Sequence, residues 1–185
     1  MESLTSTKYW LRKINLPTLT ATLFSKQYAF ISKAPFSTPD KMRLLKAAWN
    51  ITGTNRIRSQ YVIDVQNICI FFEKSPTPAN KMCQTSSLYE ILYDCNSVKS
   101  FIEQLKGIEA FSYFGLDFSK ESRFFFQPHQ EFSRVATFIH KCINLYLLYC
   151  NYIKLPPSIS KGLLFLIKLV KSAICTRINT FSRIG

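Results

Sequence analysis

The sequence predicts a mainly α-helical single domain spanning residues 1–185. Three observations carry that expectation. Glycine occurs only 5 times in 185 residues, so the tight glycine turns of a hairpin-rich β fold are scarce. Hydrophobic residues make up 47% of the chain and charged residues 19%, enough apolar material for a core and too little charge for a disordered chain. Apolar residues recur at helical spacing behind Ser, Thr and Pro start signals, whereas strict alternation is confined to one stretch.

Taken in order, Ser6 or Thr7 caps a short helix through Tyr9, Trp10, Leu11 and Ile14, and Pro17 closes it or opens the next. Residues 18–33 place Leu19, Leu23, Phe24, Phe30 and Ile31 at loose helical spacing, followed by a loop around Pro35. Thr38 before Pro39 marks a helix start, since a hydroxyl cap followed by proline satisfies or removes the orphan N–H groups. That helix runs through Met42, Leu45, Ala48 and Trp49 until Thr52–Gly53–Thr54–Asn55 stops it.

Residues 57–73 read as a short strand or a buried helix: Tyr61, Ile63 and Val65 alternate with Val62, Asp64 and Gln66, and an apolar run follows. Pro76 and Pro78 make a loop. Ser86 or Ser87 leads a helix through Leu88, Ile91 and Leu92; Ser97 caps another through Phe101, Ile102 and Leu105, ending near Gly107. Residues 110–130 form an aromatic loop. A long helix spans residues 130–153 with an apolar face of Val135, Phe138, Ile139, Cys142, Ile143, Tyr146 and Leu147. After Pro156–Pro157, Ser158 or Ser160 caps a last helix to about residue 178. Residues 130–180 are thus a basic helical pair.

The net charge of +13 is unevenly spread. Residues 1–63 carry +8, residues 64–121 carry −3 and residues 122–185 carry +8. Two basic ends folded onto one face would form a field suited to a polyanion, with RNA, single- or double-stranded, the leading candidate. Arg43 and Lys46 with Arg56 and Arg58 make one candidate phosphate cluster, the guanidinium fork matching phosphate geometry. Lys161, Lys168, Lys171 and Arg177 make the second, on a last helix without an acid. The bland reading of that helix buries its wide apolar arc in the protein and leaves its lysines solvated; an anionic membrane surface is the lesser alternative to RNA. Phe124–Phe125–Phe126 beside Lys120 and Arg123 offer a stacking platform for unpaired bases, against the commoner use of such a run as core or oligomer interface.

No cofactor, metal or catalytic residue is expected. The sequence has no glycine-rich nucleotide loop, no GxSxG and no HExxH. Its six cysteines form no CxxC pair, and only His140 and Cys142 lie close together, too few for structural zinc. The first 15 residues lack a signal-peptide core, so an intracellular site is expected, with buried thiols rather than disulfides. The uncharged run from Cys142 to Ile153 is shorter than the roughly 20 residues a span needs.

Residues 16–49 read LPTLTATLFSKQYAFISKAPFSTPDKMRLLKAAW. This resembles an F-box, the helical segment that docks on a Skp-type adaptor of a cullin ubiquitin ligase. Leu16, Pro17, Leu23, Pro39, Leu45 and Trp49 carry the match; Thr20 and about ten extra residues around Pro35 depart from it. Without the resemblance the same residues are a plain helical hairpin. A small, basic, aromatic-rich, glycine-poor chain with such a segment resembles the small crinivirus suppressors of RNA silencing. That resemblance implies binding of single- and double-stranded RNA and contact with the adaptor through those six residues; the expected location is the host cell cytoplasm, with the nucleus as a further candidate. A homo-oligomer and an adaptor protein without RNA binding stay open.

Overall fold

The computed structural model describes residues 10, 21–52, 54, 61, 69, 71, 87–119, 122–123 and 133–181, with the side chains of 21–24, 133 and 176–181 excepted. These residues are mainly helical, with no strand among them. The helices are α1 (Ala21–Lys33), α2 (Thr38–Ala48), a π-helical segment (Glu90–Asp94), α3 (Asn96–Lys106), α4 (Glu109–Tyr113), α5 (Ser133–Ile153) and α6 (Ile159–Phe181). The stretch 57–73, strand or helix by sequence, lies almost wholly outside the described residues.

The α1–α2 hairpin follows the expected pattern with a shift of one residue at its cap. Ser37, not Thr38, is the N-cap of α2: its hydroxyl accepts from the Asp40 N–H at 3.3 Å and donates to the Asp40 carboxylate at 2.6 Å. Asp40 thereby places a negative charge in the first turn, where the helix dipole favours it. The helix stops earlier than the Thr52–Gly53 turn suggests, because Asn50 takes the left-handed conformation (φ 54°) that terminates helices.

Ser87 does lead the next element, its hydroxyl accepting from the Glu90 N–H at 3.2 Å. The element is π-helical rather than α, its wider turn closed by the Cys95 N–H donating to the Glu90 carbonyl at 3.0 Å. The extra residue lets Ile91, Leu92 and Tyr93 all point into the core. Cys95, not Ser97, occupies the N-cap of α3 and makes no side-chain cap. Four residues of α3 are buried at helical spacing: Val98, Phe101, Ile102 and Leu105. The aromatic stretch after Gly107 is partly helical, as α4.

Helix α5 is the axis of the molecule. Every residue from 139 to 148 is buried, so it has no solvent face over that length, where the sequence suggests a single apolar stripe. The reason is its surroundings: α2, the π segment and α6 all pack against it. Helix α6 also reaches α3, and the contact is tight at Gly162, where a Cβ would stand 2.7 Å from the Phe101 ring and 3.1 Å from that of Tyr146. The α5–α6 connection is fixed by Tyr146, whose hydroxyl donates to the Ser158 carbonyl at 3.0 Å and accepts from the Ser158 N–H at 3.1 Å. On the far side, Trp10 is fully buried and donates to the Ala48 carbonyl at 2.9 Å, tying the N-terminal region to the end of α2.

Candidate nucleic-acid interface

Three of the candidate phosphate ligands are gathered on one exposed side of α6. Lys161, Lys168 and Lys171 fall at positions i, i+7 and i+10, which 3.6 residues per turn brings to neighbouring directions, and all three are exposed. No acid occurs anywhere on the helix, so nothing on α6 itself offsets their field. Arg177 lies on the same helix, with its side chain outside the described residues.

The second cluster is less open than its sequence suggests. Arg43 is exposed but engaged, its Nη1 donating to the Asp40 carboxylate at 2.7 Å. Lys46 is exposed at the last turn of α2. Arg56 and Arg58 lie outside the described residues. Helices α2 and α6 each pack on α5, so the described members of the two clusters stand on different helices around one axis.

Two cations counted with the C-terminal basic surface are interior. Arg123 is 3% exposed and Lys141 is 1% exposed. Arg123 donates to the Leu92 carbonyl at 2.6 Å and stacks over the Tyr93 ring; Asn144 in turn donates to the Arg123 carbonyl at 3.1 Å. It is therefore not an exposed partner for a base-stacking platform, and Phe124–Phe125–Phe126 lie outside the described residues. Burial pushes the Arg123 guanidinium down to about 10, and loss of hydration pushes Lys141 down to about 7. His140, edge-on to Phe118 at 5.7 Å, is pushed to about 3 by burial and then by the positive Arg123 and Lys141. Asp117 sits opposite; burial works against its charge, but hydrogen bonds from Ser119 and Ser122 hold it below its ordinary value. The signal for Lys141 is present in the sequence: it falls between Phe138 and Leu145 on the apolar side of its helix.

The partner-binding candidates divide similarly. Pro39 and Trp49 are exposed and Leu45 is half-buried, while Leu16 and Pro17 and the side chain of Leu23 lie outside the described residues. Missed by sequence is an aromatic platform across the hairpin, Tyr28 of α1 stacked on Trp49 at 6.4 Å and 22°, with Met42 exposed two turns earlier on α2. Also missed is a groove of about 470 Å³ between α5 and α6, lined by Tyr149, Leu155, Lys161, Leu164, Phe165 and Lys168 among others.

Among the described residues no three His, Cys, Asp or Glu side chains converge as a metal site would require. No described helix is long and apolar enough to cross a membrane. No protein-family model, curated protein or solved structure matches the chain.

Proposed function

We propose that this chain binds RNA with little sequence preference and suppresses host RNA silencing by sequestering double-stranded and small RNA. The observation that carries the reading is the acid-free row Lys161–Lys168–Lys171 on an exposed helix, in a chain of net charge +13. Phosphate contacts supply affinity without a base code, and A-form shape separates RNA from DNA. Arg43, Lys46, Arg56, Arg58 and Arg177 extend the contact. The test is a gel shift with short duplex RNA, long duplex RNA and duplex DNA across a salt series. Binding favours RNA, and log affinity falls with log salt by about 0.7–0.9 per phosphate contacted. Absence of binding at low salt removes the reading.

A second reading has its own observation. The exposed Tyr28–Trp49 stack with Met42 forms an apolar patch on the 16–49 hairpin, suited to a Skp-type adaptor. Its test is capture of the purified adaptor by the wild type and by Met42→Ala with Trp49→Ala. Equal capture by both, or by neither, rejects it.

A further inference from the structure

We propose that the outer face of α6 lies in the plane of an anionic lipid membrane, its aliphatic side chains entering the headgroup boundary beside a row of lysines. Helix α6 meets the protein through the buried Gly162, Leu166 and Ala173, flanked by Ile159, Leu163, Phe165 and Leu169, which are partly buried against the core. Its apolar arc extends past those contacts, and the fold leaves Leu164, Ile167, Val170 and Ile174 exposed. Leu164 is 60% exposed, Ile167 49% and Ile174 54%. At 100° per residue Leu164 points directly away from the buried strip, and Ile167 and Ile174 follow it along the same outward side. The bland reading of a core helix therefore accounts for only one side of α6.

Charge selects the occupant. Lys161 and Lys168 flank Leu164 on one side, Lys171 falls between Leu164 and Ile167, and no acid stands on the helix. A second copy would set lysine row against lysine row in a chain of net charge +13, whereas anionic headgroups attract the same row. RNA would use the lysines but gains nothing from branched aliphatic side chains, which offer no flat ring for a base. A bilayer surface uses both: aliphatic groups sink to the acyl boundary while lysines extend to the phosphates. Tyr149 of the preceding helix fits as well, since it lines one groove with Leu164, Lys161 and Lys168, and tyrosine suits the headgroup level. With no described helix able to span, the contact is in-plane.

The inference goes beyond the RNA reading and does not rest on it. The experiment is flotation of the full chain with phosphatidylcholine vesicles, with and without phosphatidylserine. Binding is expected to the phosphatidylserine vesicles and little to phosphatidylcholine alone. Joint Lys161→Gln, Lys168→Gln and Lys171→Gln should weaken it about a hundredfold, about fivefold per lysine. Joint Leu164→Ser, Ile167→Ser and Ile174→Ser should abolish flotation yet keep the helical circular dichroism and the duplex-RNA gel shift. No flotation with phosphatidylserine at low salt overturns the inference, as does flotation unchanged in the serine variant. Loss of RNA binding in the serine variant with flotation intact assigns the face to RNA and also overturns it. The gel shift is read separately, so RNA binding without flotation, or flotation without RNA binding, tells the two readings apart.

Discussion

The guanidinium carbon of Arg123 stands 4.8 Å above the centre of the Tyr93 ring, inside the protein. One side of this cation is held by the negative face of an aromatic ring, and its edge donates to the Leu92 carbonyl. Tyr93 is available there because the π-helical segment turns it inward together with Ile91 and Leu92. The π turn and the buried arginine are thus parts of one arrangement joining residues 90–94 to residue 123 and, through Asn144, to α5.

Arg123→Met should therefore destabilise the fold by about 1–3 kcal/mol, since the Leu92 carbonyl loses its charged donor and Tyr93 its cation. Denaturant melts read the loss. On the proposed RNA reading, affinity for RNA per folded molecule should stay as in the wild type, because the guanidinium is shut off from solvent. A stable variant with weakened RNA binding would contradict this structural role.

Stability should depend on pH in two windows. His140 and Lys141 are bases whose folded values lie below their unfolded ones, so the unfolded chain takes up protons first as pH falls. For His140 stability is complete above about 6.5 and is lost as pH falls toward about 3. For Lys141 it is lost as pH falls from about 10.5 toward about 7 and is level below that. His140→Phe should flatten the acidic limb and Lys141→Met the alkaline one. Melts across this range that show no slope in the wild type would refute both.

Gly162 is required by proximity. A methyl group there must displace the Phe101 ring, which stands 2.7 Å from the Cβ position. Gly162→Ala gains about 1 kcal/mol in helix propensity and loses about 1–3 kcal/mol to overpacking, so a net loss of about 1 kcal/mol is expected. Gly162→Leu should prise α6 from α3 and α5 and fail to fold cooperatively. A more stable Gly162→Ala would show that Phe101 gives way freely.

Trp10→Ala should cost about 3–5 kcal/mol, the range for emptying a large buried aromatic site. Trp10→Phe should cost less, about 1–3 kcal/mol, by withdrawing the indole donor from the Ala48 carbonyl. Thermal melts of both variants rank the two contributions.

Much of the helical framework is legible one residue at a time. The proline and hydroxyl signals before Met42, the Ser87 start and the Pro156–Pro157 break all mark helix ends, because capping depends on neighbours within one turn. The errors are local too. Ser37 takes the cap in place of Thr38, Cys95 stands where Ser97 was expected, and Asn50 ends α2 before the glycine turn. Ser37 and Thr38 are adjacent hydroxyls of like chemistry, whereas Cys95 makes no side-chain cap and Asn50 ends α2 through its own left-handed backbone.

By itself, then, the sequence determined helical class, the paired helices around Pro156–Pro157 and the acid-free basic row of α6, all of which follow from spacing along one chain segment. Only the tertiary structure decided which cations meet solvent. Lys141 and Lys168 both sit among apolar neighbours, yet one is enclosed because α5 is ringed by other helices and the other is exposed because α6 is covered on one side. Periodicity tells which residues share a face of a helix. It does not tell how many other helices will come to cover it, and that number separates a buried charge from a binding surface.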